Sequence, residues 1–467
     1  MSITKHINLF DKNNELNSIE TNAGRVTLLT LFLPIFVEQT LKSLMSTVNV
    51  YILGNFSDEA VAAVGVATQI VNMQMIIYFV IGIGASIVIS QYLGAGDKEQ
   101  AKKVSGVAVV LVTAIGLVIG SIIAVFAKDL MKIMQLKDNL LSEAVAFLQI
   151  LSIFSVFQAF INVFSAISSS YGLARIPMIT AFIMNLLNAI GSYLVVFRPF
   201  EIPLYGVKGV AYCRVISEIL ALMIMLVIIK KNGLEFDFKC LIPFPKRYVF
   251  QILRIGVPSG MDSFNYSISQ IITTGIIASL GTAAVAAKVY TTNIVFYVYV
   301  FGLSLGQTTS LMIGWLVGAG EFDRAYRLNL RNLKVTVTLN VILSILICIL
   351  RRPIVGIFTK DENIISLCSV ILIIDIFVEI FRGVNHVEQS SLRGAGDVRF
   401  PVIVSLCTCW GICILFSYIL GIKAGLGLAG CWIAFAMEEA ARGCLLFMRW
   451  RTKKWMSMAI VTKKKYA

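Results

Sequence analysis

The chain has 467 residues, of which 58% are apolar and 14% carry a charge. Soluble domains carry about 25% charged residues, so this composition excludes an ordinary soluble enzyme or binding domain and indicates a membrane protein. The formal net charge is +14. A basic excess is also expected of a membrane protein that contacts anionic lipid, so it does not by itself indicate a nucleic-acid partner.

Hydrophobic segments long enough to cross a bilayer begin after a polar N-terminal stretch. Residues 1–25 contain no apolar segment of the kind found in signal peptides, so we expect no cleavable signal. About 20 apolar residues in a helix cross the hydrocarbon core of a bilayer. Twelve segments reach this length, near residues 26–53, 60–92, 101–127, 140–168, 176–197, 205–230, 248–279, 283–317, 328–350, 362–392, 400–421 and 425–450.

The longest polar connector follows the sixth span and contains Pro243 and Pro245. Its composition is typical of a surface linker between two bundles of helices. We therefore predict five parts: a cytoplasmic tail (1–25), an N-lobe (26–230), a cytoplasmic linker (231–247), a C-lobe (248–450) and a basic cytoplasmic tail (451–467).

The second half of the chain repeats the first at a constant offset of 224 residues. Pro258, for example, lies 224 positions after Pro34. Further matches at this offset are Gly318–Glu321 with Gly94–Asp97, Val285–Ala287 with Val61–Ala63, and Gly396, Arg399 and Pro401 with Gly172, Arg175 and Pro177. Duplicated membrane halves are typical of transporters, and an even number of spans in each half makes the repeats parallel. We predict an all-α membrane protein in which twelve transmembrane helices form two six-helix bundles around a central cleft.

Lysine and arginine residues are concentrated in alternate loops. With the N-terminus placed in the cytoplasm, 26 of the 40 lie in cytoplasmic segments, 9 lie on the opposite side and 5 lie inside spans. This asymmetry follows the positive-inside rule and predicts a multi-pass protein of the cell membrane with both termini in the cytoplasm. We expect contacts with membrane lipids, no nucleic-acid partner, and a monomer.

Motifs for catalysis, nucleotide binding or metal binding are absent from the sequence. There is no G-x-S-x-G motif, no P-loop, no C-x-x-C pair among nine cysteines, and the chain has two histidines. We therefore expect no enzymatic activity, no cofactor, no metal centre and no disulfide. Uphill transport would then be coupled to an ion gradient, with Na⁺ or H⁺ as the coupling ion.

Two carboxylates inside the spans are the first candidates for a functional site, because an acid at the bilayer centre costs about 2.5–3.5 kcal/mol. Glu38 and Asp262 each stand four residues after a helix proline, Pro34 or Pro258, and are related by the repeat offset. We expect their polar helix faces to line a shared cleft. The span of Asp262 lacks a basic partner, which predicts an unpaired carboxylate, whereas Glu38 either binds a cation or forms a salt bridge with Lys42. The prolines are either hinges or static kinks.

A second pair of candidates lies in the tenth span, where Asp375 and Glu379 precede Arg382. One acid can be neutralised by Arg382, which leaves the other free to titrate or to bind a cation. His386 is interpreted as a hydrogen-bonded helix-end residue. The remaining intramembrane charges are interpreted as structural ion pairs: Arg214 with Glu218, and Glu438 and Glu439 with Arg442.

Short motifs occur in order along the chain: Ser57–Gly65 and Gln91–Asp97 in the first half, and Gly256–Gly260, Leu280–Ala283, Arg393–Pro401 and Arg449–Arg451 in the second. With their spacing and duplication, they make the chain from about Leu31 to Trp455 similar to the multidrug and toxic compound extrusion (MATE) family of secondary transporters. The resemblance implies a two-lobed antiporter that exports small organic, often cationic, molecules in exchange for Na⁺ or H⁺ by rocking of the lobes.

The sequence departs from the family pattern in the N-lobe. Family members usually carry an acid on the first helix fifteen residues past the proline, where this chain has Asn49. Many also pair an asparagine with an aspartate one turn later on the fifth helix, where this chain has Asn188 and Ser192. We hypothesise that ion coupling has moved to the other intramembrane carboxylates, Glu38, Asp262, Asp375 and Glu379.

A flippase for a lipid-linked oligosaccharide, from the same superfamily, is the main alternative. It would favour a strongly basic cavity, whereas acids outnumber bases inside the spans by seven to five, so the sequence favours the antiporter. A membrane-embedded transferase would need a catalytic cluster at one interface, and a channel is disfavoured by duplication within one chain.

Overall fold

The computed structural model describes residues 18–21, 24–54, 57–134, 138–197, 205–238 and 245–461. Most of the predicted N-terminal tail (1–17), part of the predicted linker (239–244, with Pro243) and the end of the C-terminal tail (462–467) lie outside the described residues. The described chain is almost entirely helical.

Each half is built from eight helices, counted over the described residues. The first half contains α1 (Leu28–Gly54), α2 (Asp58–Gly94), α3 (Lys98–Val125), α4 (Ala127–Ile133), α5 (Asp138–Ile153), α6 (Ser155–Ser170), α7 (Arg175–Phe197) and α8 (Gly206–Lys231). The second half contains α9 (Lys246–Ala278), α10 (Thr282–Ala319), α11 (Phe322–Ile349), α12 (Arg351–Gly356), α13 (Glu362–Ala395), α14 (Arg399–Thr408), α15 (Leu415–Tyr418) and α16 (Gly427–Arg451). The π-helical segments Cys409–Ile414 and Ile419–Lys423 continue α14 and α15, and the 3₁₀ turn Lys454–Ser457 follows α16.

The all-α, multi-pass architecture is confirmed, and each predicted span overlaps one or more of these helices. By length and hydropathy, nine helices among the described residues can cross a membrane, or ten if α5 and α6 form one broken span. These two meet at 49°, so the fourth predicted span is bent at Phe154 rather than straight. The helices α9 and α16 fall outside this set because polar and charged side chains, among them Asp262 and Glu439, lower their hydropathy.

A short hairpin precedes the first membrane helix and was not predicted. Strands β1 (Ser18–Thr21) and β2 (Gly24–Thr27) pair antiparallel, and α1 begins at Leu28 rather than at residue 26. Val26 and Leu28 are buried in one apolar cluster with Leu311 of α10, so the start of the N-lobe packs against the C-lobe.

The repeat found in the sequence is also a repeat of helix boundaries. Helices α2, α3, α4 and α7 begin at Asp58, Lys98, Ala127 and Arg175, and α10, α11, α12 and α14 begin 224 residues later at Thr282, Phe322, Arg351 and Arg399. The turn after α2 has φ 83° at Gly96, and the turn after α10 has φ 79° at Gly320. Both positions favour glycine because a Cβ is strained there. The two lobes therefore share one fold.

The lobes meet at the C-terminal ends of α2 and α10, around Gly94 and Ala319, and we call this region the closed end. A Cβ added at Gly94 would overlap the backbone of Trp315, and one added at Gly318 would overlap the backbone of Gln91. Gly94 and Gln91 are the repeat mates of Gly318 and Trp315, so the contact is symmetric. Only glycine allows the two helix backbones to approach this closely.

The C-terminal segment, Thr452–Val461, also bridges the lobes at the closed end. The Gln91 Nε2 atom donates to the Gly394 carbonyl at 2.9 Å, and its Oε1 atom accepts from the backbone N–H groups of Ile460 and Val461 at 2.9 and 3.1 Å. Trp455 is fully buried and stacks on Trp450 with ring centroids 4.1 Å apart. A C-lobe segment thus holds an N-lobe side chain in place.

The predicted hinge prolines lie inside continuous helices, Pro34 in α1 and Pro258 in α9. Gly256 and Gly260 flank Pro258, and a Cβ at either position would overlap Val80 of α2. The segment around Pro258 therefore packs directly on the opposite lobe. Bending at these prolines remains a prediction.

The start of the predicted linker lies against α3. Glu235 Oε2 accepts from Lys102 Nζ at 2.7 Å, and the Asp237 N–H donates to the Lys102 carbonyl at 3.4 Å. The hydrogen bond and the charge of Lys102 lower the pKa of Glu235. The described start of the linker is therefore held on the N-lobe.

Candidate functional site

A cavity of about 840 Å³ lies between the two lobes and is lined by helices of both. It reaches Leu53 and Val61, which flank the loop between α1 and α2. Towards the closed end, the last α2 residue in its described lining is Phe79, although α2 continues to Gly94. The cavity therefore extends to the end of the molecule opposite the closed end.

The N-lobe wall is amphipathic. Asn188 Nδ2 donates to Asn49 Oδ1 at 3.0 Å, and Ser192 Oγ donates to Asn188 Oδ1 at 3.5 Å. The structure thus brings together the two candidates predicted from separate spans, and both line the cavity. The wall also contains apolar side chains, namely Met45, Met75, Met184, Phe79 and Phe147.

At two pairs of repeat-related positions, the N-lobe wall has an amide side chain and the C-lobe wall has a basic one. Gln158 and Asn162 of α6 line the cavity, and their repeat mates on α13, Arg382 and His386, line it from the other side. His386 was predicted to be a helix-end residue, but it lies within α13 with its ring centroid 5.1 Å from that of Tyr299. The duplicated scaffold therefore presents two chemically different faces.

Asp262 lines the cavity but is not the unpaired carboxylate that the sequence predicted. Its Oδ2 atom accepts from Gln389 Nε2 at 2.5 Å and from Arg393 Nη2 at 2.6 Å, while its Oδ1 atom has no hydrogen-bond partner among the described residues. The prediction of an unpaired acid was wrong because it considered only partners on the same helix. Both partners here belong to α13, more than 120 positions further along.

Glu38 forms the salt bridge that the sequence left open as one of two readings. Its Oε1 atom lies 2.7 Å from Lys42 Nζ. Lys42 belongs to the described lining of the cavity, and Glu38 is buried behind it and does not belong to that lining. The base of this pair therefore faces the cavity, and the acid faces the protein.

The acids of the tenth predicted span have different partners. Glu379 is fully buried, and its Oε1 atom accepts a short hydrogen bond from Arg382. Asp375 accepts from Trp432 Nε1 at 3.0 Å, and no ion pair to it is found among the described residues. Arg382 therefore pairs with Glu379, and Asp375 is the acid without an ion pair among the described residues.

A smaller cavity of about 190 Å³ lies inside the C-lobe next to the main one. Tyr266, Tyr299, Arg382 and Glu439 belong to the walls of both. Its other acids are Asp375 and Glu438, the latter accepting from Thr408 Oγ1 at 2.8 Å. Three carboxylates, those of Asp375, Glu438 and Glu439, thus line this small cavity, which shares four wall residues with the main one.

Two ion pairs interpreted from sequence as purely structural line these cavities. Arg214 and Glu218 of α8 lie in the main cavity wall with Arg214 Nε 3.1 Å from Glu218 Oε1. Glu438 and Arg442 of α16 are their repeat mates with acid and base exchanged, and they pair at 3.3 Å. The repeat offset could therefore have predicted that all four residues lie near the cavities, since mates in a two-fold repeat face the same central axis.

Comparison with known proteins finds membrane transporters that match most of the chain. The model of the MatE family matches residues 34–194 and 258–419, which begin at the two repeat-related prolines. The chain is 36% identical to the uncharacterized transporter YisQ of Bacillus subtilis, over 92% of this chain and 95% of that protein. It is 25% identical to the probable multidrug resistance protein NorM of Thermotoga maritima, over 97% of both chains.

A solved structure shows the same fold. It is described as the outward-facing conformation of a multidrug resistance MATE family transporter of the MOP superfamily. The TM-score is 0.86 at 19% sequence identity, and the match covers 100% of both chains.

Proposed function

The chain belongs to the MatE family of membrane transporters, and on that basis we propose that it is a secondary antiporter that exports amphipathic organic compounds in exchange for Na⁺ or H⁺. It is a multi-pass membrane protein and a transporter rather than an enzyme. The observation that carries the proposal is the cavity between the lobes, sealed at one end and extending to the other.

The proposed transport path runs through this cavity by rocking of the lobes. The positive-inside rule places the closed end in the cytoplasm of the cell, because Lys98, Lys102 and Lys103 follow it directly. The cavity then faces outward. Binding of the coupling ion from outside would favour separation of Gly94 from Trp315 and of Gly318 from Gln91, which exposes the cavity to the cytoplasm.

The proposed coupling site is the smaller cavity of the C-lobe. Asp375 has no ion-pair partner among the described residues, and Glu379 is one turn away with an Oε2 atom for which the same residues supply no hydrogen-bond partner. A buried carboxylate without a cation either holds a proton or attracts a metal ion, and both cases link it to a gradient. Asn49 and Asn188 are assigned to substrate contact because they are neutral and line the main cavity.

Imposed gradients on proteoliposomes test the proposal. Fluorescent amphipathic dyes of both charges would be followed under a Na⁺ gradient and then under a pH gradient, and we expect one gradient to drive accumulation. Asp375→Asn should abolish the response to that gradient, whereas Glu362→Gln, at the exposed start of the same helix, should leave it intact. Absence of dye movement under both gradients would reject ion exchange.

A flippase for a lipid-linked oligosaccharide remains the second candidate function. The observation that favours it is the basic character of the main cavity wall, which contains five basic and three acidic side chains: Lys42, Arg214, Arg382, Arg393 and Arg442 against Glu218, Asp262 and Glu439. Transfer of a fluorescent anionic lipid between leaflets without any ion gradient would support it.

A further inference from the structure

We propose that the main cavity binds an amphipathic organic anion, held by Lys42 and Arg214 of the N-lobe. This inference rests on the proposed transport function and adds the charge of its substrate. The resemblance to known transporters implies compounds that are often cationic, and the wall of this cavity favours the opposite charge.

The orientation of the ion pairs carries the inference. Every basic side chain in the main cavity wall is paired with an acid, and in each pair the base is the more exposed partner. The difference is largest in the N-lobe, with side-chain exposures of 35% for Lys42 against 6% for Glu38, and of 27% for Arg214 against 5% for Glu218. The five bases share six carboxylates, but in every pair the more exposed charge is the positive one.

The two N-lobe bases also have hydrogen-bond donors to spare. Lys42 donates to Glu38, and Arg214 donates through Nε to Glu218. Within the described part of the chain, no further acceptor is found for the ammonium group or for Arg214 Nη1 and Nη2. A lysine has three donors and an arginine has five, so both can bind a carboxylate, sulfonate or phosphate without losing their internal partners.

The rest of the N-lobe wall fits the apolar body of such a ligand. Met45, Met75, Met184 and Phe79 supply an adaptable apolar surface next to the two bases. The amides of Asn49 and Asn188 already bond to each other and add no charge. A compact inorganic anion would leave this apolar surface unused, so the wall matches an amphipath.

Equilibrium binding to the detergent-solubilised full-length protein tests the proposal. Fluorescein and a rhodamine cation share a xanthene skeleton and differ in charge, so their anisotropy titrations form a matched pair. We expect fluorescein to bind at least about tenfold more tightly, and expect Arg214→Gln to weaken it about tenfold, the effect of one charge-assisted hydrogen bond. Lys208→Gln, an exposed base on the same helix, is the matched control and should not change binding.

Both bases also need a variant that lacks the paired acid, because Lys42→Gln leaves Glu38, and Arg214→Gln leaves Glu218, buried without its partner. The double variants Glu38→Gln/Lys42→Gln and Arg214→Gln/Glu218→Gln remove both charges of a pair, and we expect each to lose fluorescein binding to a similar extent. Lys42→Arg should retain binding. Full affinity in both double variants would overturn the assignment of these residues.

The remaining outcomes separate the two proposals. Equal or tighter binding of the rhodamine, or binding of neither dye, overturns the anion site. Preferred fluorescein binding without gradient-driven movement of either dye supports the anion site and rejects ion exchange. Gradient-driven export of rhodamine alone supports ion exchange and rejects the anion site. Displacement of fluorescein by phosphatidic acid in nanodiscs would identify a lipid as the source of the anion, and displacement only by soluble sulfonates would identify a soluble compound.

Discussion

Asp262 and Arg393 join α9 to α13 at 2.6 Å in the wall of the main cavity. A carboxylate and a guanidinium placed side by side neutralise each other, which makes two charges tolerable at membrane depth. The sequence could identify Asp262 as a candidate because of its depth and its repeat mate Glu38. It could not identify Arg393 as its partner, because 131 positions separate the two and only the packing of α9 on α13 brings them together.

Removal of one partner of this pair should destabilise the protein. Breaking a buried ion pair from one side costs about 3–5 kcal/mol, and the position of this pair in the cavity wall lowers that cost. We expect Asp262→Asn to lower the thermal unfolding temperature and Asp262→Asn/Arg393→Gln to recover most of the loss. Light-scattering melts in detergent measure both. A single variant as stable as the wild-type protein would show that the pair does not hold α9 to α13.

The glycine contacts of the closed end give a second prediction for single residues. A methyl group at Gly318 would overlap the Gln91 backbone, so Gly318→Ala should force the two helices apart, at a typical overpacking cost of about 1–3 kcal/mol. Gly275→Ala in α9, where a Cβ meets open space, is the control and should not lower the melting temperature, because alanine favours a helix more than glycine does. Thermal melts of the two variants check this, and equal melting temperatures would contradict the close contact.

The C-terminal segment Thr452–Val461 links the two lobes at the closed end. Gln91 holds Gly394, Ile460 and Val461 through three hydrogen bonds. We expect Gln91→Ala to increase amide hydrogen exchange of residues 455–461, because two of their N–H groups lose an acceptor. Gln149→Ala in α5, which bonds Ala124 away from this segment, should leave the exchange unchanged. Unchanged exchange in Gln91→Ala would show that the segment is held by Trp455 alone.

The helices themselves were predicted well where hydrophobic length decides the outcome. Runs such as 101–127 and 328–350 correspond to α3 and α11, with their ends within six residues of the observed ones. The sequence could not show the bend between α5 and α6 at Phe154, because both parts are apolar and no proline or glycine marks the break. It also missed the hairpin at Ser18–Thr27, since two four-residue strands have too short a pattern to be recognised.

The internal repeat was the property of the sequence that said most about the arrangement of the two lobes. It predicted two lobes of the same fold, and the helix starts at Lys98 and Phe322 agree with it to the residue. Applied to charged residues, the same offset relates Arg214 and Glu218 to Glu438 and Arg442. The exposure of each base towards the cavity could not be predicted, because it depends on which side of a helix faces the opposite lobe.

The central claim is that two equivalent lobes rock about the main cavity and open one end as they close the other. Distances between spin labels, measured by pulsed electron spin resonance, report both openings. One pair of labels is placed beside the closed end, at the repeat mates Glu99 and Asp323, and the other at the opposite end, at the repeat mates Lys128 and Arg352. With added Na⁺ or acid, we expect the first distance to lengthen and the second to shorten in the same sample. Two distances that stay single and unchanged under all ion conditions would contradict the account.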